Sequence, residues 1–301
     1  MSLKAYAPGI YARSEELVQA TRDLDRGRTS AAAVDEQVER DFRELVSAQE
    51  QAGLTLLSDG MLAWQDLFRP LADRSEGLEA RPLTRFLNTN TFYRALLVQG
   101  EPRLREPVPP PDLPTGRWLA TLPSPLALSR AAGGAVPAAV MAANVLAPQI
   151  EEYAQAGCGL VVLSDPFLAR ERGVPDLVTA LAELPRTVPL VLQLPFGDAG
   201  AVLAQLADAP VDAIGIDFYA TSLDAVPDGY PKEILAGVVD ARSSALEDPA
   251  EIARFVDGLL QRNAAGLSLS MNGDLQFVPE PIASEKIARL GRAQAALQEA
   301  A

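Results

Sequence analysis

The chain has 301 residues, a formal net charge of −14, one cysteine and no histidine, with 48% hydrophobic and 22% charged residues. That is a globular composition, long enough for one large domain or two ordinary ones, and the acidity argues against nucleic-acid binding. The absence of histidine excludes Ser-His-Asp and Cys-His catalysis and makes a catalytic zinc site unexpected.

No apolar run approaches the ~18 residues of a membrane span, and MSLKAYAPGIYARSEE has no apolar core for a secretory leader. The single Cys158 leaves no intrachain disulfide and fits a reducing compartment, so a cytoplasmic location is expected.

Residues 3–11 are expected to hold a first strand, closed by the turn Pro8-Gly9. Ser14 then caps a helix ended by Gly27. In a second helix, Ala31–Ala52, Val34, Val38, Phe42, Leu45 and Val46 recur at a helical period. Short apolar strands follow at Leu54–Leu57, Trp118–Leu122, Leu160–Leu163, Leu190–Leu194, Ala213–Asp217, Ile234–Val239 and Leu267–Met271. Helices at about Ala138–Ala156 and from about Ala283 belong to the same alternation. Near-continuous apolar strands alternating with amphipathic helices imply parallel βα units buried on both faces. Eight units in this length predict an α/β fold, a single (β/α)8 TIM barrel over 1–301, with a long polar excursion at about 58–117. An open doubly wound sheet is the alternative, but no GxGxxG turn follows an early strand. Glu106–Pro114, with its prolines, reads as a stiff connection at the end of the excursion.

Polar residues close nearly every strand: Asp59, Ser124, Asp165, Gln193, Asp217, Asp240 with Arg242, and Asn272 with Asp274. Turn and cap preferences account for any one of them. In a barrel, however, these ends converge on one face, and the set together points to a polar pocket. Asp165, Asp217 and Asp240 are the candidate catalytic carboxylates, suited to acid–base work where desolvation raises a pKa. Gln193, Tyr219, Arg242 and Asn272 are candidate substrate ligands. The carboxylates would also suit a hard cation such as Mg²⁺, but no compact ligand motif supports one and no metal ligand is assigned. Cys158 precedes its strand, at the opposite face, and reads as a small buried residue.

The excursion gathers aromatic, amide and charged side chains. Asp59, Trp64, Gln65, Asp66, Asn88, Asn90, Tyr93 and Arg94 are its candidate ligand-binding residues, although the aromatics would equally serve a core. Asp59, Trp64, Asn88 and Asn90 are expected to line one pocket with Asp165 and Asp217. Seven arginines (Arg69, Arg74, Arg81, Arg85, Arg94, Arg103, Arg105) outnumber the four acids Asp73, Glu76, Glu79 and Glu101. That local excess would attract an anionic ligand, and incidental surface pairs would give the same count.

Four segments resemble the cobalamin-independent methionine synthase superfamily, whose domains are (β/α)8 barrels. Gln49–Gly60 is similar to its helix–strand signature before a DGE turn, Tyr153–Pro166 to its strand ending in Asp-Glu-Pro, Gly237–Ser243 to its GV-D-S strand, and Arg85–Tyr93 to the WFDTN-type segment of its amino-terminal barrel. The family's methyl-transferring barrel holds zinc through a His-x-Cys pair, a Glu and a later Cys. The corresponding positions here are Gln193-Leu194-Pro195, Asp217 and the neighbourhood of Gly273. The DGE glutamate is Met61, and Asp165 is kept without the glutamate after it.

The resemblance therefore implies a zinc-free, methionine-synthase-like barrel. Its implied role is methyl transfer to homocysteine in methionine biosynthesis, directly or as the non-zinc half of a two-chain enzyme beside a zinc-bearing barrel on another chain. A folate or methylcorrinoid would be the methyl donor and substrate, with no cofactor held by the chain itself. A non-catalytic ligand-binding or accessory barrel is the alternative; a metal-free lyase resembling uroporphyrinogen decarboxylase, its arginines holding substrate carboxylates, is a remoter one. The expected partners are a small-molecule ligand and a second copy in a homodimer, with no nucleic acid and no membrane.

Overall fold

The computed structural model describes residues 3–85, 92–170 and 173–300. In chain order these form β1 (Lys4–Ala5), α1 (Glu15–Asp25), α2 (Ala31–Gln51), α3 (Arg69–Asp73), β2 (Ser75–Arg85), β3 (Phe92–Leu104), β4 (Leu119–Pro123), α4 (Pro125–Ala131), α5 (Ala138–Met141) and α6 (Ala147–Gln155). There follow β5 (Leu160–Ser164), α7 (Val174–Leu181), β6 (Leu190–Leu194), α8 (Gly200–Leu206), β7 (Ala213–Asp217), β8 (Glu233–Val239), α9 (Pro249–Leu260), β9 (Gly266–Met271) and α10 (Glu280–Ala300).

Seven strands make one parallel sheet in the order β1-β9-β8-β7-β6-β5-β4. Every residue of β4, β5, β6 and β7 is buried, because helices cover one face and the sheet curls over the other. Tyr6, Leu119, Leu160, Val162, Val191, Ala213 and Leu235 form a separate apolar cluster, against which Leu56 packs. Alternate residues of successive strands supply it, as the period of two requires.

The segment Leu54–Ser58 connects the two edges of the sheet. The Thr55 N–H donates to the Ala5 carbonyl at 2.8 Å, and the Leu57 N–H donates to the Arg117 carbonyl at 2.9 Å. The Leu119 N–H returns a bond to the Leu57 carbonyl at 2.9 Å. Leu57 pairs with Trp118 as an isolated parallel bridge, so this expected strand takes the form of a single rung. The first strand is also shorter than expected. Pro8 has no N–H to pair and Gly9 turns the chain at φ +88°, its own N–H donating to Thr121 Oγ1 at 2.9 Å.

The excursion is not the irregular loop expected from its polarity. β2 and β3 form an antiparallel ribbon running from Ser75↔Leu104 to Arg85↔Phe92. Leu78 and Leu96 bury its base, and Leu83, further out, is 60% exposed. Pro82 hides the strand in the sequence, and it falls within the register shift between Ala80 and Leu83, one of the places a sheet tolerates proline. The expected helix over Ala138–Ala156 also forms, with a wider π turn at Ala142–Leu146 between α5 and α6. Pro148 lacks the N–H an α-helix needs there and crowds the carbonyl four residues back, which the wider turn relieves.

Candidate functional site at the carboxyl ends of the strands

Four predicted residues converge at the ends of β7, β8 and β9. Asn272 Nδ2 donates to Asp217 Oδ1 and to Asp240 Oδ1, both at 3.1 Å, and Asn272 Oδ1 accepts the Ala241 N–H at 2.8 Å. The Arg242 guanidinium lies 3.9 Å from Asp217 Oδ2 and 3.9 Å from Asp240 Oδ1, too far for hydrogen bonds but close enough for attraction. Gln193 lies inside the same end of the sheet, its Nε2 donating to the Met271 carbonyl at 3.4 Å.

Two glycines make room for these side chains. A Cβ on Gly215 would come within 2.9 Å of Gln193, and one on Gly237 within 2.7 Å of the Asn272 backbone. A larger residue at Gly237 would push Asn272 from the position where it meets Asp217, and one at Gly215 would displace Gln193.

Asp217 itself is 1% exposed. Its Oδ1 accepts from Asn272 and from the Tyr219 N–H at 2.9 Å, whereas its buried Oδ2 accepts no hydrogen bond. Burial pushes its pKa above the ordinary carboxylate value, opposed by Asn272, the Tyr219 N–H and Arg242.

Phe196, which the sequence reading did not single out, floors this group. Arg242 stacks over its ring at 4.8 Å, and Phe277 meets it edge-on at 5.1 Å. Its backbone has φ +61°, an unfavourable conformation for a bulky side chain, held by Arg170 Nη2 donating to its carbonyl at 2.6 Å. Gly273 makes this possible: a Cβ there would lie 2.3 Å from the Phe196 ring. Strained backbone at a strand end is a recurrent mark of sites, but it has no signature in a sequence.

The remaining predicted residues fall elsewhere. Asp165 is wholly buried, taking the Ser124 hydroxyl at 2.5 Å and the N–H groups of Phe167 and Leu168 at 3.0 and 2.9 Å. Those bonds tie β4 to β5 and leave it saturated; burial raises its pKa and the bonds oppose the rise. Asp59 and Trp64 line a narrow cleft of about 10 Å³ with Trp118 and Tyr153, room for a single water. Neither Asp165 nor Asp217 is among the residues that line it. Its walls come from β4 (Leu119, Ala120 and Thr121) as well as from Tyr153 of α6.

Asp66 accepts the N–H groups of Phe68, Arg69 and Arg94, and so fixes the ribbon to α3. Gln65 takes Arg69 Nη1 at 2.5 Å, Arg94 donates to the Arg81 carbonyl, and Tyr93 stacks edge-on against Phe68 at 5.3 Å. Asn88 and Asn90 lie outside the described residues. Tyr219 is 51% exposed, and its side chain lines an outer cleft with α9. Among the described residues, no group of three or more acidic, cysteine or histidine side chains is placed to hold a metal ion.

A parallel α/β sheet whose polar residues gather at its carboxyl ends defines the class: a barrel-like scaffold with a polar cluster at the strand ends. No protein-family model matches the chain. It is 32% identical over 174 residues to a 5-methyltetrahydropteroyltriglutamate–homocysteine methyltransferase of Mycobacterium bovis, covering 53% of this chain and 22% of that enzyme. Two solved structures share the fold. One, from Listeria monocytogenes and provisionally described as a vitamin-B12-independent methionine synthase, superposes with a TM-score of 0.73 at 16% identity, covering 99% of each chain. A B12-independent methionine synthase from Shewanella gives 0.71 at 14% identity over 91% of each. The chain is thus similar to methionine synthases of the cobalamin-independent type over about half its sequence, spans under a quarter of the curated enzyme's length, and shares the fold of the two solved structures.

Proposed function

We propose that this chain is a zinc-free, methionine-synthase-like (β/α)8 barrel that binds a ligand of methyl transfer to homocysteine and works beside a zinc-bearing barrel on another chain. A folate or methylcorrinoid donor is the ligand class in view, and the cytoplasm the compartment. The hydrogen bonds of Leu54–Ser58 to both sheet edges support the eighth strand of a closed barrel. The observation that carries the binding role is Asp217 Oδ2, a buried carboxylate oxygen without a donor, beside a guanidinium half-committed to it. Leaving such an oxygen unpaired is costly, and a ligand donor relieves the cost.

The zinc-free part rests on donor chemistry. The positions that resemble the zinc ligands offer a Gln193 amide, an Asp217 carboxylate and the hydrogen of Gly273, against which the Phe196 ring is packed. Zinc's preference for thiolate and imidazole is unmet there. The one thiol, Cys158, is buried at the opposite end of β5, bonded to the Leu160 carbonyl and pushed up to about 11 by desolvation.

Calorimetric titration of 5-methyltetrahydrofolate and homocysteine into the wild type and Asp217→Asn tests the reading, together with methyl-transfer assays with and without a zinc-bearing methionine synthase barrel. Asp217→Asn is expected to weaken binding by about ten- to a hundredfold, the worth of a hydrogen bond to a charged group. Equal affinities in a folded variant would sink the assignment of Asp217. The missing thiolates also favour a second reading, an accessory barrel without catalysis, and methyl transfer by the isolated chain would end that one.

A further inference from the structure

We infer that the cleft between β7, β8 and α9 is a binding site for a small apolar cation of the methylated-ammonium type, distinct from the polar cluster at Asp217. The cleft holds about 230 Å³ and is lined by Phe218, Tyr219, Val238, Ile252 and Phe255, with the carboxylates of Glu247, Asp248 and Glu251 on the same wall. Phe218 and Phe255 meet edge to face at 5.1 Å, which fixes two aromatic surfaces, and Tyr219 adds a third that is half in solvent. Aromatic faces and carboxylates attract the same charge, and the apolar walls exclude well-hydrated ions such as Na⁺ or a primary ammonium.

The electrostatic balance favours a cation despite the amino-terminal end of α9. That end carries a partial positive charge of roughly +0.5. Asp248 caps it, its Oδ1 accepting the Ala250 N–H at 2.9 Å, and Glu251 lies in its first turn. Glu247 is balanced by Lys286 at 2.9 Å. Glu251 has only Arg254 at 3.6 Å, an exposed contact of little strength. No lysine or arginine lines the cleft among the described residues.

The cleft is joined to the polar cluster at Asp217 by hydrogen bonds. The Tyr219 N–H donates to Asp217, and the Tyr219 hydroxyl donates to Glu247 Oε1 at 3.3 Å, the oxygen that also accepts the Asp240 N–H at 2.9 Å. A cation seated against Tyr219 therefore acts on the residues that hold Asp217 and Asp240 in place.

The probe is choline, with 3,3-dimethylbutan-1-ol as its neutral isostere, each titrated calorimetrically into the full chain. Choline is expected to bind saturably and the alcohol about tenfold more weakly or worse, the difference a desolvated cation–π contact supplies. Phe255→Leu removes one aromatic wall and Glu251→Gln, fully on the surface, one charge; each is expected to weaken choline several-fold. Should Phe255→Leu not fold, Glu251→Gln decides alone. Equal binding of the two probes, no choline binding at millimolar concentration, or choline binding untouched by the variants would each overturn the site. Loss of folate or homocysteine binding in Asp217→Asn bears on the methyl-transfer reading and leaves this one standing.

Discussion

Lys286→Met tests the support beneath the polar cluster at the strand ends. Lys286 lies on the buried face of α10 with Ala283, Ile287 and Leu290, and is 0% exposed. Its Nζ donates to the Ala245 carbonyl at 2.7 Å and to Glu247 Oε1 and Oε2 at 2.9 and 3.0 Å. Glu247 passes the constraint on, through its bonds from the Asp240 N–H and the Tyr219 hydroxyl. Methionine keeps most of the stem and removes the charge, leaving a carboxylate whose side chain is 12% exposed without its cation. Removing one partner of such a pair costs about 3–5 kcal/mol, because the desolvated charge left behind is uncompensated. At about 2–4 °C per kcal/mol for a chain of this order, Tm falls by roughly 10 °C.

Urea denaturation followed by circular dichroism gives the free energy, with the m-value checking that both states are unchanged. Glu247→Gln placed on top of Lys286→Met is expected to recover part of the loss, since it neutralises the orphaned charge. A cost below about 1 kcal/mol, or a double variant no more stable than Lys286→Met, would refute the argument that the pair is a buried charge balance. Weaker ligand binding at Asp217 at temperatures where Lys286→Met stays folded would show that the pair also positions Asp240.

Gly291→Ala should destabilise by about 2–3 kcal/mol in the same assay, because its Cβ would lie 1.9 Å from the Ala52 carbonyl oxygen and α10 would have to lift off α2. Ser124→Ala should cost about 2–3 kcal/mol, since it strips a bond from the buried Asp165 carboxylate and uncaps α4 at the Ala127 N–H. Asp274 has its pKa raised by burial to about 6, so the folded state holds its proton longer than the unfolded one. Its contribution to stability therefore falls as pH rises from about 4 to about 6 and is flat above, and Asp274→Asn should remove that slope from a denaturation series.

The parallel strands from β4 to β9 were legible because each is an apolar run ended by a polar residue, and burial on both faces leaves no other pattern. What the sequence hid lies where two signals conflict. Pro82 and Gly77 read as loop residues and sit in bulges of a ribbon, where both are tolerated. Lys286 follows the apolar period of α10, so a buried lysine was there to be noticed; its partner Glu247, thirty-nine residues away, was not. Of the candidate ligands, Asp217, Asp240, Arg242 and Asn272 met because they end adjacent strands. Asp59 and Trp64 line a cleft with Trp118 and Tyr153, a grouping that strand-end spacing alone does not give.

Burial raises the pKa of five carboxylates alike, Asp59, Asp66, Asp165, Asp217 and Asp274, so the shift does not mark the site. Hydrogen-bond accounting does. Asp66 takes three backbone N–H groups. Asp165 takes two and a hydroxyl. Asp274 takes the Ile10 N–H on one oxygen and the Gln276 amide on the other. These three are consumed by the loops they hold. Asp59 keeps the Met61 N–H in a cleft with room for one water. Asp217 alone of the five has one oxygen fully served and the other buried and unserved, with a guanidinium 3.9 Å away and glycines cleared around it. A buried carboxylate oxygen without a donor is costly, and on the reading proposed above a ligand supplies that donor at the convergence of β7, β8 and β9.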